Sequence, residues 1–414
     1  MNTNATHKLM LAQKQRALRM PDNIVNSMDA LSLNTSTFLD YQHLFRHFFT
    51  INDDNPDLND FFSTTTNEIQ KHLTSFQKTC IAPYHFRVCT IGVLDTFSDQ
   101  DLLISYLDDE CTKIVQYTMK QTCTQLKHDF DALMSENKSS GKAVENQYNL
   151  RRALDKKMHR FISTQLASIV DASVGKLLTN DKHNRQPLIL IVDKRLHQFP
   201  WESSGCLQWL PVSRMPNFAF IQHAIEKNTL PGDEKRLRAV DTKLVSFVID
   251  PKNMLDNTRK RFRQFFAQKG YKNGVCGQPV AKQKWRSLLQ NTKSKDNSMF
   301  VYIGHGGGQD CVHPDHLARG KSDALAFLMG CNSSNLVTNG EYGPSSITLS
   351  YLIAGSPAVV GNLWSVLDGE LNDLTQSLIE YLTSKNRRSI VGSVSKMRQD
   401  EVGEKSQFVT GSAL

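Results

Sequence analysis

Residues 299–334 read MFVYIGHGGGQDCVHPDHLARGKSDALAFLMGCNSS, and this stretch decides the fold. It holds two unbroken apolar runs, Met299–Ile303 and Ala324–Met329. Each ends in glycine and runs straight into a reactive side chain, Gly304-His305 after the first and Gly330-Cys331 after the second. Apolar runs of this length without polar alternation are strands buried on both faces, the pattern of parallel strands covered by helices.

Working outward, Leu188–Val192, Leu244–Ile249 and Ala358–Val360 repeat the pattern. Amphipathic helical stretches lie between them near Asn257–Lys269, Ala281–Asn291, Ser345–Ala354 and Glu370–Ser384. Such alternation predicts an α/β fold with a mostly parallel sheet flanked by helices. Up to about residue 180 the spacing is mainly helical, in Phe38–Phe49, Leu58–Phe76 and Lys113–Leu133, interrupted by one strand, His85–Leu94. The polar patch Asn137-Lys138-Ser139-Ser140-Gly141 reads as a helix connection or small linker before a second long helix, Val144–Leu178. The last thirty residues are polar enough to be loosely packed. The expected division is a helical N-terminal region and insertion over 1–180, a remainder and linker over 181–240, and a catalytic domain over 241–414.

In open α/β sheets, sites form outside the carboxyl ends of the strands. If the two strands of the opening stretch are neighbours, His305 and Cys331 face each other there. Alone, a cysteine after an apolar strand is more often a small buried hydrophobe. Two reactive residues in the same setting, 26 positions apart, favour a dyad. Imidazole raises the thiolate fraction of Cys331 and then returns the proton to a leaving amine. The glycines allow unusual backbone angles, and the Gly306 and Cys331 amides are the candidate oxyanion donors. No third catalytic group is evident, so orientation of His305 falls to backbone contacts.

Other chemistries fit less well. A P-loop needs Lys-Ser or Lys-Thr after its glycines, but Gln309-Asp310 follow Gly308. A cysteine phosphatase needs an arginine soon after its nucleophile, and 332–339 contain none. Cys311, His313 and His316, with His305, could supply zinc ligands, but the spacing is tight and the polar-loop reading is preferred. No metal and no cofactor is expected.

The net charge of +8 is spread along the chain without a recognition motif, so nucleic acid is not expected as a direct specific ligand. The eight cysteines, at 80, 89, 111, 123, 206, 276, 311 and 331, are scattered, which suits a reducing compartment. No stretch approaches the roughly 18 apolar residues of a membrane span. The first 21 residues are basic without an acid, which faintly resembles a transit peptide but reads better as a solvated start.

The segment Lys243–Ser384 resembles the protease domain of separase, a caspase-like family that opens cohesin. The residues that carry the resemblance are FVIDPKNMLDNTRKRF (247–262), VYIGHGGG (301–308), LMGCNSSNL (328–336) and YGPSSITLSYLIAGSPAVVGNLWSVLDGELNDLT (342–375). Phe199-Pro200-Trp201-Glu202 and Ser213-Arg214-Met215-Pro216 resemble upstream family elements, and Phe408–Ala413 resembles the start of a closing motif.

The resemblance implies a caspase-like cysteine endopeptidase cleaving after arginine in Glu-x-x-Arg or Asp-x-x-Arg sites of the cohesin kleisin subunit. It further implies a securin-type pseudosubstrate inhibitor, and a location in cytoplasm and nucleus, on chromosomes or spindle in mitosis. Asp368, Glu370 and Trp364 then become candidate substrate-binding residues. Asp368 matches a family aspartate, Glu370 replaces another, and Asn372 stands where an acid is usual. The same acids also suit the start of a helix, through its dipole. The resemblance implies a long helical region before the protease, and the short one here leaves two readings, a separate helical scaffold subunit or a streamlined divergent member. Asp233-Glu234-Lys235-Arg236 fits the cleavage pattern in a Pro-Gly loop, which makes Arg236 a candidate self-cleavage site, with an ordinary charged turn as the alternative. A caspase-like peptidase of another substrate class and a catalytically silent scaffold remain as competing functions.

Overall fold

The computed structural model describes residues 71, 73–93, 99–142, 146–178, 186–290, 296–339, 342–384 and 389–399. The stretches 38–49 and 58–70 and the closing motif at 408–413 therefore lie outside the described residues.

Two five-stranded sheets organise the chain. The first contains β1 (Arg87–Val93), β2 (Asp101–Leu107), β3 (Thr112–Thr118), β4 (Leu188–Val192) and β5 (Val212–Arg214), in the order β3-β2-β1-β4-β5. Strands β3, β2 and β1 pair antiparallel, whereas β1, β4 and β5 pair parallel. Between β3 and β4 are inserted helix α1 (Cys123–Lys142) and helix α2 (Gln147–Arg160), the latter continuing through wider turns to Leu178.

After β5 come α3 (Phe218–Asn228) and a hairpin of β6 (Thr229–Leu230) and β7 (Asp233–Leu237). The second sheet follows: β8 (Val240–Ile249), α4 (Asp256–Gln268), β9 (Asn273–Cys276), α5 (Lys282–Leu289), β10 (Asn297–Ile303), α6 (Pro314–Ala318) and β11 (Ala324–Met329). A small hairpin, β12 (Val337–Asn339) and β13 (Tyr342–Ser345), leads to α7 (Ile347–Ile353), β14 (Val359–Gly361), α8 (Asp368–Leu382) and α9 (Ile390–Gln399). The strand order is β14-β11-β10-β8-β9, with every pair parallel.

The apolar runs explain this sheet. Every residue of β10 and β11 is buried. Their side chains alternate between two cores: Met299, Val301, Ile303, Leu325, Phe327 and Met329 face the larger one, while Phe300, Tyr302, Ala324, Ala326 and Leu328 face a smaller one around Trp285. The larger core is continuous with that of the first sheet, where Ile91, Leu102, Ile104 and Leu190 meet Phe130, Phe161 and Trp364.

Several expectations need correction. Residues 112–118 form edge strand β3, not the start of a helix, and the helix begins at Cys123. The 137–141 patch is no linker: α1 runs through it, with Asn137 and Ser140 buried. The boundary at 180 cuts across one sheet, because β1 pairs with β4. Residues 390–399 are a docked helix with Val394 and Met397 in the core.

The upstream Pro-Trp-Glu and Ser-Arg elements meet in a buried brace. The Arg214 guanidinium donates to both oxygens of the Glu202 carboxylate and to the His197 and Phe199 carbonyls. Burial opposes ionisation of Glu202, but Arg214, with help from Arg398, outweighs it and holds the carboxyl below its ordinary value. The stability this pair supplies is therefore present at neutral pH and is lost on acidification, as pH falls below the ordinary carboxylate value and through the depressed one. Arg214→Ala strands a buried carboxylate, and denaturant unfolding at pH 7 is expected to show a loss of about 3–5 kcal/mol.

Candidate active site

Strands β10 and β11 are hydrogen-bonded neighbours whose last paired residues are Ile303 and Met329. Two positions beyond that pair, on the same edge of the sheet, stand His305 and Cys331. The loops that carry them are in backbone contact. A methyl group on Gly330 would lie 2.2 Å from the Gly306 carbonyl oxygen and 2.3 Å from that of Gly304, so only glycine fits. Gly306 itself has a φ of 62°, in the left-handed region.

His305 is exposed and Cys331 half-buried. The Tyr302 hydroxyl donates to the His305 carbonyl at 2.7 Å. Burial pushes that phenol well up, which keeps it a donor at neutral pH. This bond holds the His305 backbone. The Gly307 amide donates to Gln309 Oε1 at 2.8 Å, which ties the glycine loop back on itself. Neither the Gly306 nor the Cys331 amide donates to a protein acceptor among the described residues, so both are available to an incoming oxyanion.

The turn after Cys331 is held by the Gly361–Trp364 segment. Asn332 adopts a left-handed conformation, with φ 55°, and its amide donates to the Trp364 carbonyl at 3.2 Å. The Asn362 side chain donates to the Gly330 carbonyl at 3.1 Å, and its amide to Ser333 Oγ at 2.9 Å. The Cys331 thiol donates to the Val366 carbonyl at 3.3 Å. Local sequence does not announce these contacts, which join residues 29 to 35 positions apart.

The substrate-binding candidates separate. Asp368 is exposed at the first residue of α8, two positions past Val366, and makes no ion pair among the described residues. Glu370 instead accepts from Arg151 of α2, with Nη2 at 2.6 Å. Trp364 is 4% exposed and packs edge-on against Phe130, with ring centroids 5.7 Å apart, so its ring is core and not substrate surface. Asn372 is buried and donates to Thr258 of α4 at 2.8 Å. Arg236 is exposed on β7, just past a turn at Gly232 with φ 83°.

The zinc candidates are distributed otherwise. His313 accepts from the Asp315 amide, and burial raises the Cys311 thiol. No cluster of three or more histidine, cysteine or acidic side chains that could hold a metal occurs among the described residues. Nor is any described helix long and apolar enough to cross a membrane.

The model of the family described as separin, protease domain, matches residues 37–371, most of the chain. The chain belongs to the separin family. Among its relatives, the separin of Schizosaccharomyces pombe is 31% identical over 235 residues, 56% of this chain and 12% of that protein. Mouse separin is 29% identical over 212 residues, 51% of this chain and 10% of that protein. The chain thus spans about a tenth of the length of the separins it matches. In a separase–securin complex from Saccharomyces cerevisiae, a structure with a TM-score of 0.67 and 17% identity covers 84% of this chain and 31% of the solved one. The fold is therefore shared well beyond the edge that carries His305 and Cys331.

Proposed function

We propose that this chain is a separase-type cysteine endopeptidase that cuts after arginine in (Asp/Glu)-x-x-Arg sites of the cohesin kleisin subunit, releasing sister chromatids. The observation that carries the reading is the pairing of β10 with β11, which puts His305 and Cys331 on one edge, beside the Gly306 and Cys331 amides that no protein acceptor among the described residues engages. In the reaction, the Cys331 thiol gives its proton to His305 and the sulfur attacks the scissile carbonyl carbon. The oxyanion is received by the Gly306 and Cys331 amides. His305 then protonates the leaving amine as the carbon–nitrogen bond breaks, and water, deprotonated by His305, hydrolyses the thioester and regenerates the thiol.

Asp368 is the acid assigned to the substrate arginine, since Glu370 is already engaged by Arg151. Asp368→Asn is expected to lower kcat/KM on arginine peptides by about 30-fold or more, the scale of a lost binding anchor. Hydrolysis of the matching citrulline peptide should change little. Equal losses on both peptides would remove Asp368 from that role.

A securin-type pseudosubstrate is the proposed inhibitor, by likeness to the separase–securin complex, and a separate helical subunit is the proposed scaffold. Cytoplasm and nucleus, with mitotic chromosomes or spindle, are the proposed locations. Self-cleavage after Arg236 is proposed too: a fragment of the parent should vanish in Arg236→Glu, and an unchanged fragment pattern would dismiss it.

The deciding experiment incubates parent and Cys331→Ser with the organism's own kleisin and maps new termini. Cleavage after arginine by the parent alone supports the reading. No cleavage by folded, inhibitor-free parent would favour another substrate class or a silent scaffold.

A further inference from the structure

The segment Trp364–Glu370 touches the nucleophile loop on one side and the inserted helices on the other. Toward the nucleophile, the Trp364 carbonyl accepts from the Asn332 amide, Ser365 Oγ accepts from Asn332 Nδ2 at 3.0 Å, and the Val366 carbonyl accepts from the Cys331 thiol. Toward the insertion, Asn137 Nδ2 of α1 donates to the Ser365 carbonyl at 2.8 Å. Arg151 of α2 donates to Asn137 Oδ1 and to both oxygens of Glu370. Leu367 lies against Gly141, where a methyl group would come within 3.3 Å of it, and Trp364 rests on Phe130.

We infer that Arg151 and Asn137 are positioning residues for Cys331, acting through Ser365, Val366 and Glu370. This deepens the peptidase reading above and rests on it.

The argument is one of register. Between β14 and α8 the segment has no strand partner, so its backbone has no ladder to fix it. Three consecutive residues, 364, 365 and 366, contact the nucleophile loop, and a slip of one position would replace all three contacts. The Asn137 amide reads the Ser365 backbone, and the planar Arg151 fork fixes the far end at Glu370. Both residues are buried, Arg151 to 3% and Asn137 to 5% exposure. A buried charge pair is a poor source of stability, since an apolar replacement often serves as well. A polar triad at this place is better explained by the directionality of its bonds.

The test uses the full chain with an arginine peptide substrate. Parent is compared with Arg151→Met, Arg151→Lys, Glu370→Gln and the charge-swapped Arg151→Glu/Glu370→Arg, each shown to be folded by circular dichroism. A second readout is the rate at which iodoacetamide modifies Cys331, followed by peptide mapping. The single variants are expected to lose about 10–100-fold in kcat with KM nearly unchanged, as a misplaced catalytic group does. Cys331 modification should slow with them, and the swapped pair should regain a substantial part of both. Unchanged kcat and modification rate in folded single variants overturn the proposal. So do losses that fall equally on kcat and KM with no recovery in the swapped pair. A parent that hydrolyses no peptide, yet loses Cys331 reactivity on Arg151→Met, would sink the peptidase reading and keep the positioning role. A parent that hydrolyses, with variants unchanged in both readouts, does the reverse.

Discussion

Gly330→Ala is expected to remove at least about 100-fold of the peptidase activity and to destabilise the chain by about 1–3 kcal/mol. The added methyl meets the carbonyl oxygens of Gly304 and Gly306 at 2.3 and 2.2 Å, which are backbone atoms with no rotamer to yield. The β10 and β11 loops, which carry His305 and Cys331, must therefore separate. Gly392→Ala is the control. It sits in α9 against Ser389 at an ordinary 3.6 Å, so activity should hold and stability should rise by up to about 1 kcal/mol. Peptide hydrolysis and denaturant titration check both. A fully active Gly330→Ala would mean that the loop contact is not needed.

Cys331→Ser and His305→Ala are expected to cause the largest losses. In a nucleophile–base pair, removing either member costs nearly as much as removing both, up to about 10⁶ in kcat for a serine triad. The double variant should thus be little worse than either single one. Stability should change by less than about 1 kcal/mol, because His305 is exposed and the Cys331 thiol holds one weak bond to Val366. Single-turnover hydrolysis of an arginine peptide measures the activity, and additive losses would argue that the two residues act separately.

Much of the second half is legible because β10 and β11 are buried on both faces, which forces unbroken apolar runs that end where the backbone must turn. The glycine before each reactive residue marked those turns. The first half was harder. Strand β3 is an edge strand with Ile114 exposed and only Val115 and Tyr117 partly buried against the core, so the alternation in Thr112–Thr118 is weak and merges with the helical spacing that begins at Cys123. Composition makes 137–141 resemble a linker, yet Asn137 is buried and bonds Ser365, 228 positions away and beyond the reach of local pattern. The same distance in sequence hid the fates of Glu370 and Trp364. The resemblance offers them as substrate contacts, whereas Arg151 pairs with Glu370 and Phe130 packs on Trp364. Glu202 and Arg214 were visible as motif residues, but only the fold shows that each motif answers the other.

The most direct test is covalent. Burial raises the thiols of Cys80, Cys89, Cys123, Cys206, Cys276 and Cys311, and the Cys111 thiol donates to Asp108 at 3.3 Å; Cys331, on the same sheet edge as His305, is the expected nucleophile. A peptide ending in an arginine electrophile, incubated with the intact chain and followed by intact-mass and peptide mapping, should give one adduct on Cys331. The adduct should be lost in Cys331→Ser and strongly slowed in His305→Ala. Labelling at another cysteine, or labelling of Cys331 at the same rate without His305, would contradict the dyad.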